Sequence, residues 1–379
     1  QAVARAVHYS PDDAQLRLQL AELYAIQGAP DLGATQARAA ALLDPGSPVP
    51  YVVAARYLSA LGDFDGAWNA ANAAVALGTD SDEMTSLAAT HRITGLQAVA
   101  RPLQSSDYDV GLRACPEDTP LSVALRAVLP AAIAARELSP EPGDDVDVSA
   151  ALDPTTSTVT LARSVAWAAQ FIGVPAPLVS LQEDVPRSIR LVPATKGLLR
   201  VARSLASGLG LEQLSFLAAR HVAMLRDDHR FATLSSDPRV LLRWLTLGLE
   251  VAELRPPVSL PALLDSEEFL NKKARKAFST ALDAAARSQL TAVAESLPEG
   301  ALLLDELRTW LTAVQRATGR VGLLASGDLA VAAQLVRSHP LPGPLGREEQ
   351  LEDLALFGAS AEYASLRANL GLLVQPEAF

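Results

Sequence analysis

Apolar residues in the N-terminal third recur at helical spacing, and the whole pattern repeats along the chain. Each unit predicts two short helices around a glycine-containing turn, with small residues where the helices approach closely. Several equivalent positions are separated by 34 residues, namely Gly28 and Gly62, Ala21 and Ala55, Ala37 and Ala71, Ala40 and Ala74, and Pro11 and Pro45. The period predicts helix pairs over residues 1–100.

This periodic pattern resembles the tetratricopeptide repeat. The characteristic small and large apolar positions of that repeat are matched at Leu20, Ala21, Tyr24, Gly28, Ala37, Ala40 and Pro45. Residues 1–11 fit the second helix of an earlier unit, and residues 82–103 fit a degenerate unit with Arg92 in place of an aromatic residue. The resemblance implies an α-solenoid whose concave face binds a protein or peptide. A stack that only packs against the next domain is the alternative.

In such a solenoid the concave wall is formed by the first helix of each unit. The polar residues expected to be exposed on that wall, and therefore to bind a partner, are Gln15, Gln19, Glu22 and Arg56.

A change of composition divides the chain. Residues 139–157 combine prolines, acidic residues and hydroxyl residues with almost no large apolar side chains, which is typical of a loop or hinge. We therefore predict a solenoid with capping helices at 1–138, a linker at 139–157 and a second domain at 158–379. The apolar segment 121–137, interrupted by Pro130, is the expected cap.

The C-terminal half predicts a helix-rich α+β domain with a small sheet. A helix is expected at 161–174, followed by two short strands in "PAPLVSLQ" and "RSIRLVPAT". A long helix is expected from about 207 to 228, and a helix, turn and helix at 304–336. The fold class of the whole chain is therefore mainly α.

This order of elements resembles the gluzincin metallopeptidases of the CAAX-prenyl-protease and heat-shock protease class. The "GVPAP" turn at 173–177 and the "QRATGRVGLL" segment at 315–324 carry the resemblance. In that family an H-E-x-x-H helix places two histidines on one face to bind Zn²⁺, and the glutamate activates the metal-bound water.

The residues at the corresponding positions do not suit that chemistry. The resemblance puts Arg220 at the first ligand, His221 at the general base, Met224 at the second ligand, Gln315 at the third ligand and Gly319 at the supporting aspartate. A fixed positive charge repels a divalent cation, and a thioether is a poor zinc ligand. We therefore expect no metal, no cofactor and no peptidase activity. The resemblance also implies that the helix bearing Arg220 and Met224 lies beside the helix bearing Gln315, and we predict a hydrogen bond between Gln315 and Arg220.

Composition narrows the remaining functions. The 379 residues carry a net charge of −11 without a basic cluster, which argues against nucleic-acid binding. No apolar run is long enough to span a bilayer, and the cytoplasm is the favoured compartment. The single cysteine, Cys115, excludes an intrachain disulfide and lies among acidic residues that oppose thiolate formation.

The sequence thus favours a non-catalytic scaffold or adaptor that combines a solenoid with an inactive peptidase-like domain. Two alternatives stay open. The chain could be a hydrolase with an unrecognised active site, or the regulatory half of a longer enzyme whose catalytic domain lies before Gln1.

Overall fold

The structure is a computed structural model that describes residues 2–91, 93–113, 118–140, 148–183, 188–254 and 270–374. The described chain is mainly helical and contains one three-stranded sheet. This confirms the prediction of a mainly α chain with a small sheet. Its α-helices are α1 Ala2–Tyr9, α2 Ala14–Ile26, α3 Pro30–Leu43, α4 Val49–Ala60, α5 Phe64–Ala76, α6 Asp82–Ala89, α7 Ser105–Tyr108, α8 Pro120–Leu138, α9 Thr160–Ile172, α10 Arg203–Ala206, α11 Leu211–Val222, α12 Pro238–Val251, α13 Lys272–Ala281, α14 Ala284–Val293, α15 Ala301–Ser326, α16 Leu329–Ser338, α17 Arg347–Gly358 and α18 Ala361–Leu370. None of them is long and apolar enough to cross a membrane, over the residues searched.

Helices α1 to α6 form the helix-pair region, residues 2–89, in which each helix contacts the next. Gly28 and Gly62 follow α2 and α4 with φ of 77° and 74°, a left-handed conformation that favours glycine, so both turns are built alike. A Cβ at Gly33 would lie 2.9 Å from the Tyr57 ring, which explains a small residue at that close approach.

The predicted helices are confirmed over residues 2–89, where no strand occurs. The unit predicted at 82–103 is only half formed, because α6 ends at Ala89 and no second helix follows among the described residues up to 103. The backbone N–H groups of Ala100 and Leu103 bond instead to the distant carbonyl oxygens of Leu370 and Phe171.

Helix α8 packs in a different place from the one predicted. The sequence predicts that residues 121–137 cap the helix pairs, but α8 lies against α12, α13 and α14. Its buried residues, including Leu125 and Val128, share a core with Trp244 and Phe278. Apolar side chains occupy most of the circumference of α8, so the helix is suited to burial among several helices rather than to a cap with one solvent face. Pro130 lies inside this helix, which continues through it.

The sheet contains the two predicted strands, β1 Leu178–Gln182 and β2 Ile189–Val192, and one that was not predicted, β3 Leu198–Ala202. The strand order is β1-β3-β2, with β3 parallel to β1 and antiparallel to β2. Leu152, within the predicted linker, exchanges two backbone hydrogen bonds with Val179 of β1. This part of the linker is therefore attached to the sheet, while residues 141–147 lie outside the described residues.

The helix predicted at about 207–228 is shorter than expected, because α11 ends at Val222 and a 3-10 turn, Ala223–Leu225, follows. Arg226 then leaves the helical conformation, and its guanidinium lies 3.5 Å from the centre of the Tyr108 ring. It also pairs with Asp228 at 3.0 Å. The tertiary contact with Tyr108 and the local pair with Asp228 compete with the helix, and the first involves residues that local periodicity does not connect.

The helix-pair region is joined to the C-terminal part of the chain through α5. This helix is buried along almost its whole length against α16 and α17 as well as against its sequence neighbours. At its N-terminal end the Asp65 carboxylate accepts hydrogen bonds from Arg367 of α18, the shortest 2.8 Å, and from the backbone N–H of Val374 at 2.9 Å. Arg367 is fully buried and Asp65 nearly so, so this ion pair lies inside the core. The proposed bounds 1–138, 139–157 and 158–379 stay a prediction.

We predict that Asp65→Asn lowers the free energy of unfolding by about 3–5 kcal/mol, because it leaves the Arg367 charge buried without a counter-charge. The matched control is Glu83→Gln, which breaks the exposed pair between Arg56 and Glu83, with half of each side chain in solvent. That change should cost no more than about 1 kcal/mol. Urea denaturation of both variants checks the prediction, and equal losses would contradict it.

Candidate functional site

Helices α11 and α15 pack directly against each other. At their closest approach, a Cβ on Gly322 would lie 3.1 Å from the Cβ of Arg220 and 3.1 Å from the carbonyl oxygen of Phe216. Glycine is therefore what allows the two helices to approach this closely. The expectation that the helix bearing Arg220 lies beside the helix bearing Gln315 is confirmed, although the two segments are far apart in sequence. Met224, which was expected on the same helix as Arg220, lies instead in the 3-10 turn after α11.

A cavity of about 330 Å³ opens beside this helix contact. We call it the β2 cavity, because β2 forms one wall and α11, the turns after it, α15 and residues 341–342 form the others. His221, Met224 and Gln315 line it together. Arg220 and Gly319 instead line a second cavity of about 10 Å³, the Arg220 cavity, which also touches Gln315. The five predicted positions therefore divide between two neighbouring cavities, with Gln315 between them.

Arg220 is buried, with 1% of its surface exposed. Its Nη2 donates a 2.7 Å hydrogen bond to the carbonyl oxygen of His339, and its guanidinium lies 5.1 Å from the centre of the Phe216 ring. Nε and Nη1 have no acceptor among the described residues. Burial lowers the pKa of Arg220 to about 9, so the side chain still carries its charge at neutral pH.

Gln315 uses its amide to hold the loop after α16. Its Nε2 donates to the carbonyl oxygen of Leu341 at 3.1 Å, and its Oε1 accepts from the backbone N–H of Leu345 at 2.9 Å. Both amide atoms are thereby committed to the loop backbone, so the predicted hydrogen bond between Gln315 and Arg220 is wrong. A Cβ at Gly343 would lie 2.6 Å from the Gln315 amide carbon, which shows how closely the loop covers it.

His221 lines the β2 cavity as a neutral ring. Its Nδ1 lies 2.7 Å from the carbonyl oxygen of Leu217, so the proton is on this nitrogen. Burial, reinforced by the positive charge of Arg220, lowers the pKa of His221 to about 3. A base this weak has little affinity for a proton at pH 7, and so it is poorly suited to activate water.

The side chains at the positions that correspond to the zinc ligands of the gluzincin peptidases do not fit a zinc ion. Arg220 contributes a cation, Met224 a thioether, and Gln315 an amide whose oxygen is already bonded to Leu345. Over the described residues, no three histidine, cysteine, aspartate or glutamate side chains are grouped as metal ligands would be. Cys115 lies outside the described residues.

Strand β2 is an outer strand of the sheet, and its outer edge, which pairs with no other strand among the described residues, lies beside the β2 cavity. Ser188 accepts a hydrogen bond from Ala202 of β3, so in the alternating antiparallel pattern Arg190 and Val192 also point their backbone groups toward β3. The backbone groups of Ile189 and Leu191 therefore point away from β3. Both residues line the cavity, and the backbone of Ile189 contacts the His221 ring.

Sequence reasoning missed the hydroxyl groups of this cavity. Thr233, Ser235, Ser236 and Thr318 all line it, and they come from a 3-10 turn, a loop and α15. Isolated serines and threonines in such segments carry no periodic or motif signal, so only the packing of α15 against the turn brings them together.

The residues predicted to bind a partner on the helix pairs, namely Gln15, Gln19, Glu22 and Arg56, are all exposed. Arg56 pairs with Glu83 of α6 at 2.7 Å. Gln15 lines a groove of about 700 Å³ between residues 9–18 and 44–50, which we call the N-terminal groove. The groove also contains the carboxylates of Asp12, Asp13 and Asp44.

No known protein family, no curated protein and no solved structure matches this chain. Its function has to be inferred from the site itself.

We predict that Gly322→Ala and Gly319→Ala change stability in opposite directions. The added methyl at 322 meets Arg220 and the backbone of Phe216, and overpacking of this kind costs about 1–3 kcal/mol. At 319 the nearest atom, on Leu354, is 3.5 Å away, so alanine fits and its higher helix propensity stabilises by up to about 1 kcal/mol. Thermal unfolding of the two variants measures the difference. Equal changes in the melting temperatures of the two variants would contradict the close approach of α11 and α15.

Proposed function

We propose that this protein is a non-catalytic scaffold that binds extended protein segments, and that the β2 cavity is one of its binding sites. The observation that carries the proposal is the outer edge of β2 on the cavity wall, which no other described strand covers. An extended peptide can pair with the outward backbone groups of Leu191 as an added strand and continue past Ile189, whose backbone contacts the His221 ring. The walls suit such a ligand, because they combine apolar side chains such as Leu311 and Val314 with the hydroxyls of Thr233 and Ser235.

The same site is poorly equipped for hydrolysis, which is why we favour binding over catalysis. His221 is too weak a base, and the Arg220 charge opposes a divalent metal. Thr233 donates its hydroxyl proton to the backbone oxygen of Arg230 at 2.7 Å rather than to a base. We accordingly propose that residues 158–379 are an inactive relative of the gluzincin peptidases that retains its cleft.

The helix-pair region provides a second proposed surface, with the tetratricopeptide resemblance as its support. Helix α5 is covered by α16 and α17, which leaves the exposed polar residues of α2 and α4 as the surface open to a partner. Asp12, Asp13 and Asp44 make the N-terminal groove acidic and favour a basic partner segment. Two modest sites on one chain gain affinity for a partner that reaches both, as an adaptor requires.

Panning of a displayed library of short random peptides tests the first site. We expect the selected peptides to bind the wild-type chain and to lose more than about tenfold in affinity, roughly 1.4 kcal/mol, when Ser236→Trp fills the exposed mouth of the β2 cavity. Ser279→Trp, at another exposed position, on α13 and not among the residues that line the cavity, should leave the affinity unchanged. Peptides that bind both variants equally would place binding elsewhere.

The same peptides distinguish binding from hydrolysis. After prolonged incubation with the wild-type chain their masses should be unchanged, and elemental analysis of protein purified without chelators should find far less than one zinc per chain. Cleaved peptides, or one zinc per chain, would overturn the non-catalytic proposal and favour a hydrolase.

Charge reversal tests the second site. Glu22→Lys should weaken binding of a lysine-rich peptide to the helix-pair region while leaving the melting temperature unchanged, because Glu22 is exposed. Glu299→Lys, an exposed position before α15, is the control of equal charge change and should bind the peptide as the wild type does. A fall in melting temperature that accompanies the loss of binding would favour a role in packing.

A further inference from the structure

The hydroxyl groups deep in the β2 cavity are already bonded to nearby backbone. Thr318 is fully buried and donates its hydroxyl proton to the carbonyl oxygen of Val314 at 2.8 Å. Thr233 donates in the same way to the carbonyl oxygen of Arg230 at 2.7 Å. Each hydroxyl has a single proton to donate, so neither proton is available to a ligand.

The amide and the imidazole on the cavity wall are committed as well. Gln315 uses its Nε2 and Oε1 on the backbone of Leu341 and Leu345. The Nδ1 proton of His221 is directed at the carbonyl oxygen of Leu217, 2.7 Å away. A polar ligand group that entered the cavity would lose its hydrogen bonds to water and find few replacements, which is unfavourable.

The electrostatic potential at the cavity wall opposes a cation. Burial and the positive charge of Arg220 lower the pKa of His221 to about 3, so the Arg220 charge acts on a residue that lines the cavity. None of the described residues on the lining carries a carboxylate with which a cation could pair. A lysine or arginine side chain of a ligand would therefore be excluded by charge as well as by the lack of hydrogen-bond acceptors.

The rest of the deep lining is apolar. Leu191, Ala232, Leu311 and Val314 are all buried and yet line the cavity. Met224 adds a flexible thioether, which adapts to apolar groups of different shape. At about 30 Å³ for each water-sized group, the volume of 330 Å³ admits about ten non-hydrogen atoms, more than one leucine side chain supplies.

The outer edge of β2 determines how a ligand would present its side chains to this space. A strand that pairs with that edge points successive side chains to opposite faces of the sheet. Side chains at positions i and i+2 then share a face, about 7 Å apart, while the side chain at i+1 points the other way. One of the two sets can enter the cavity, and the other set stays outside it.

We propose that the β2 cavity selects extended segments with two apolar side chains at alternating positions, i and i+2, and rejects segments with a charged or strongly polar side chain at either position. This specificity rests on the proposed function of the β2 cavity as a site for an added strand. Burial of the two apolar side chains supplies affinity, and the absence of free hydrogen-bond partners supplies the discrimination. The residue at i+1 is free to be polar.

The test starts from a selected peptide that binds the wild-type chain and loses affinity for the Ser236→Trp variant, and that therefore occupies the β2 cavity. Each peptide residue is replaced in turn by lysine and by glutamine, and the affinity for the wild-type chain is measured by calorimetry. Two positions, two residues apart, should each lose more than about tenfold in affinity with either replacement. The position between them should tolerate both replacements within about twofold. The protein is unchanged throughout, so its folding does not affect the result.

A change in the cavity wall provides a second measurement. Leu311→Ala enlarges the cavity and should shift its preference from a leucine to a tryptophan at one of the two apolar positions of the peptide. The ratio of the two affinities on one variant does not depend on how much of that variant is folded. Leu303→Ala is the matched control, because Leu303 is an equally buried leucine of α15 that does not line the cavity. Its affinity ratio should equal that of the wild type.

The outcomes separate this specificity from the function on which it rests. If no selected peptide is sensitive to Ser236→Trp, the proposed function is wrong and the specificity falls with it. If sensitive peptides accept lysine and glutamine at every position, or if Leu311→Ala changes the preference no more than Leu303→Ala does, the cavity still binds a strand and the apolar selection alone is wrong.

Discussion

The buried ion pair between Asp65 and Arg367 is the constraint on which the arrangement of this chain depends. It links the first turn of α5 to α18, and the backbone of Val374 bonds to the same carboxylate. Because both charges are removed from solvent, loss of either partner lowers the free energy of unfolding substantially. The helix-pair region is therefore held against the C-terminal helices, and α5 is buried in the core between them.

Arg220 and Arg367 show how differently two buried arginines can be compensated. Arg367 has a carboxylate and a carbonyl oxygen, whereas Arg220 has one carbonyl oxygen and two nitrogens without an acceptor among the described residues. On one side of Arg220 lies the small Arg220 cavity. On the other lies the β2 cavity, where His221 is kept neutral partly by the Arg220 charge. One residue thus influences the electrostatics of both cavities.

Several features of the site follow from the sequence, and several do not. The proximity of α11 and α15 was predicted from a resemblance, and Gly322 explains how the helices approach so closely. The division of the predicted positions between two cavities was not predicted, because it depends on how each helix is rotated about its axis. The hydrogen-bond partner of Gln315 was also predicted wrongly. The Gln315 amide bonds to the backbone of Leu341 and Leu345, which lie 26 and 30 residues further along the chain and which no local pattern connects to it.

The sequence by itself determined the helices of residues 2–89, the two outer strands β1 and β2, and the approximate positions of α9 and α15. These elements depend on the periodicity of apolar residues and on turn glycines, which act over short distances. Tertiary structure alone decided that α8 leaves the helix pairs, that β3 forms between β1 and β2, that α11 ends at Val222, and that Leu152 joins the sheet. Each of these depends on a contact between residues distant in sequence. The free energy of such a contact is set by burial and by hydrogen-bond partners that no local pattern encodes.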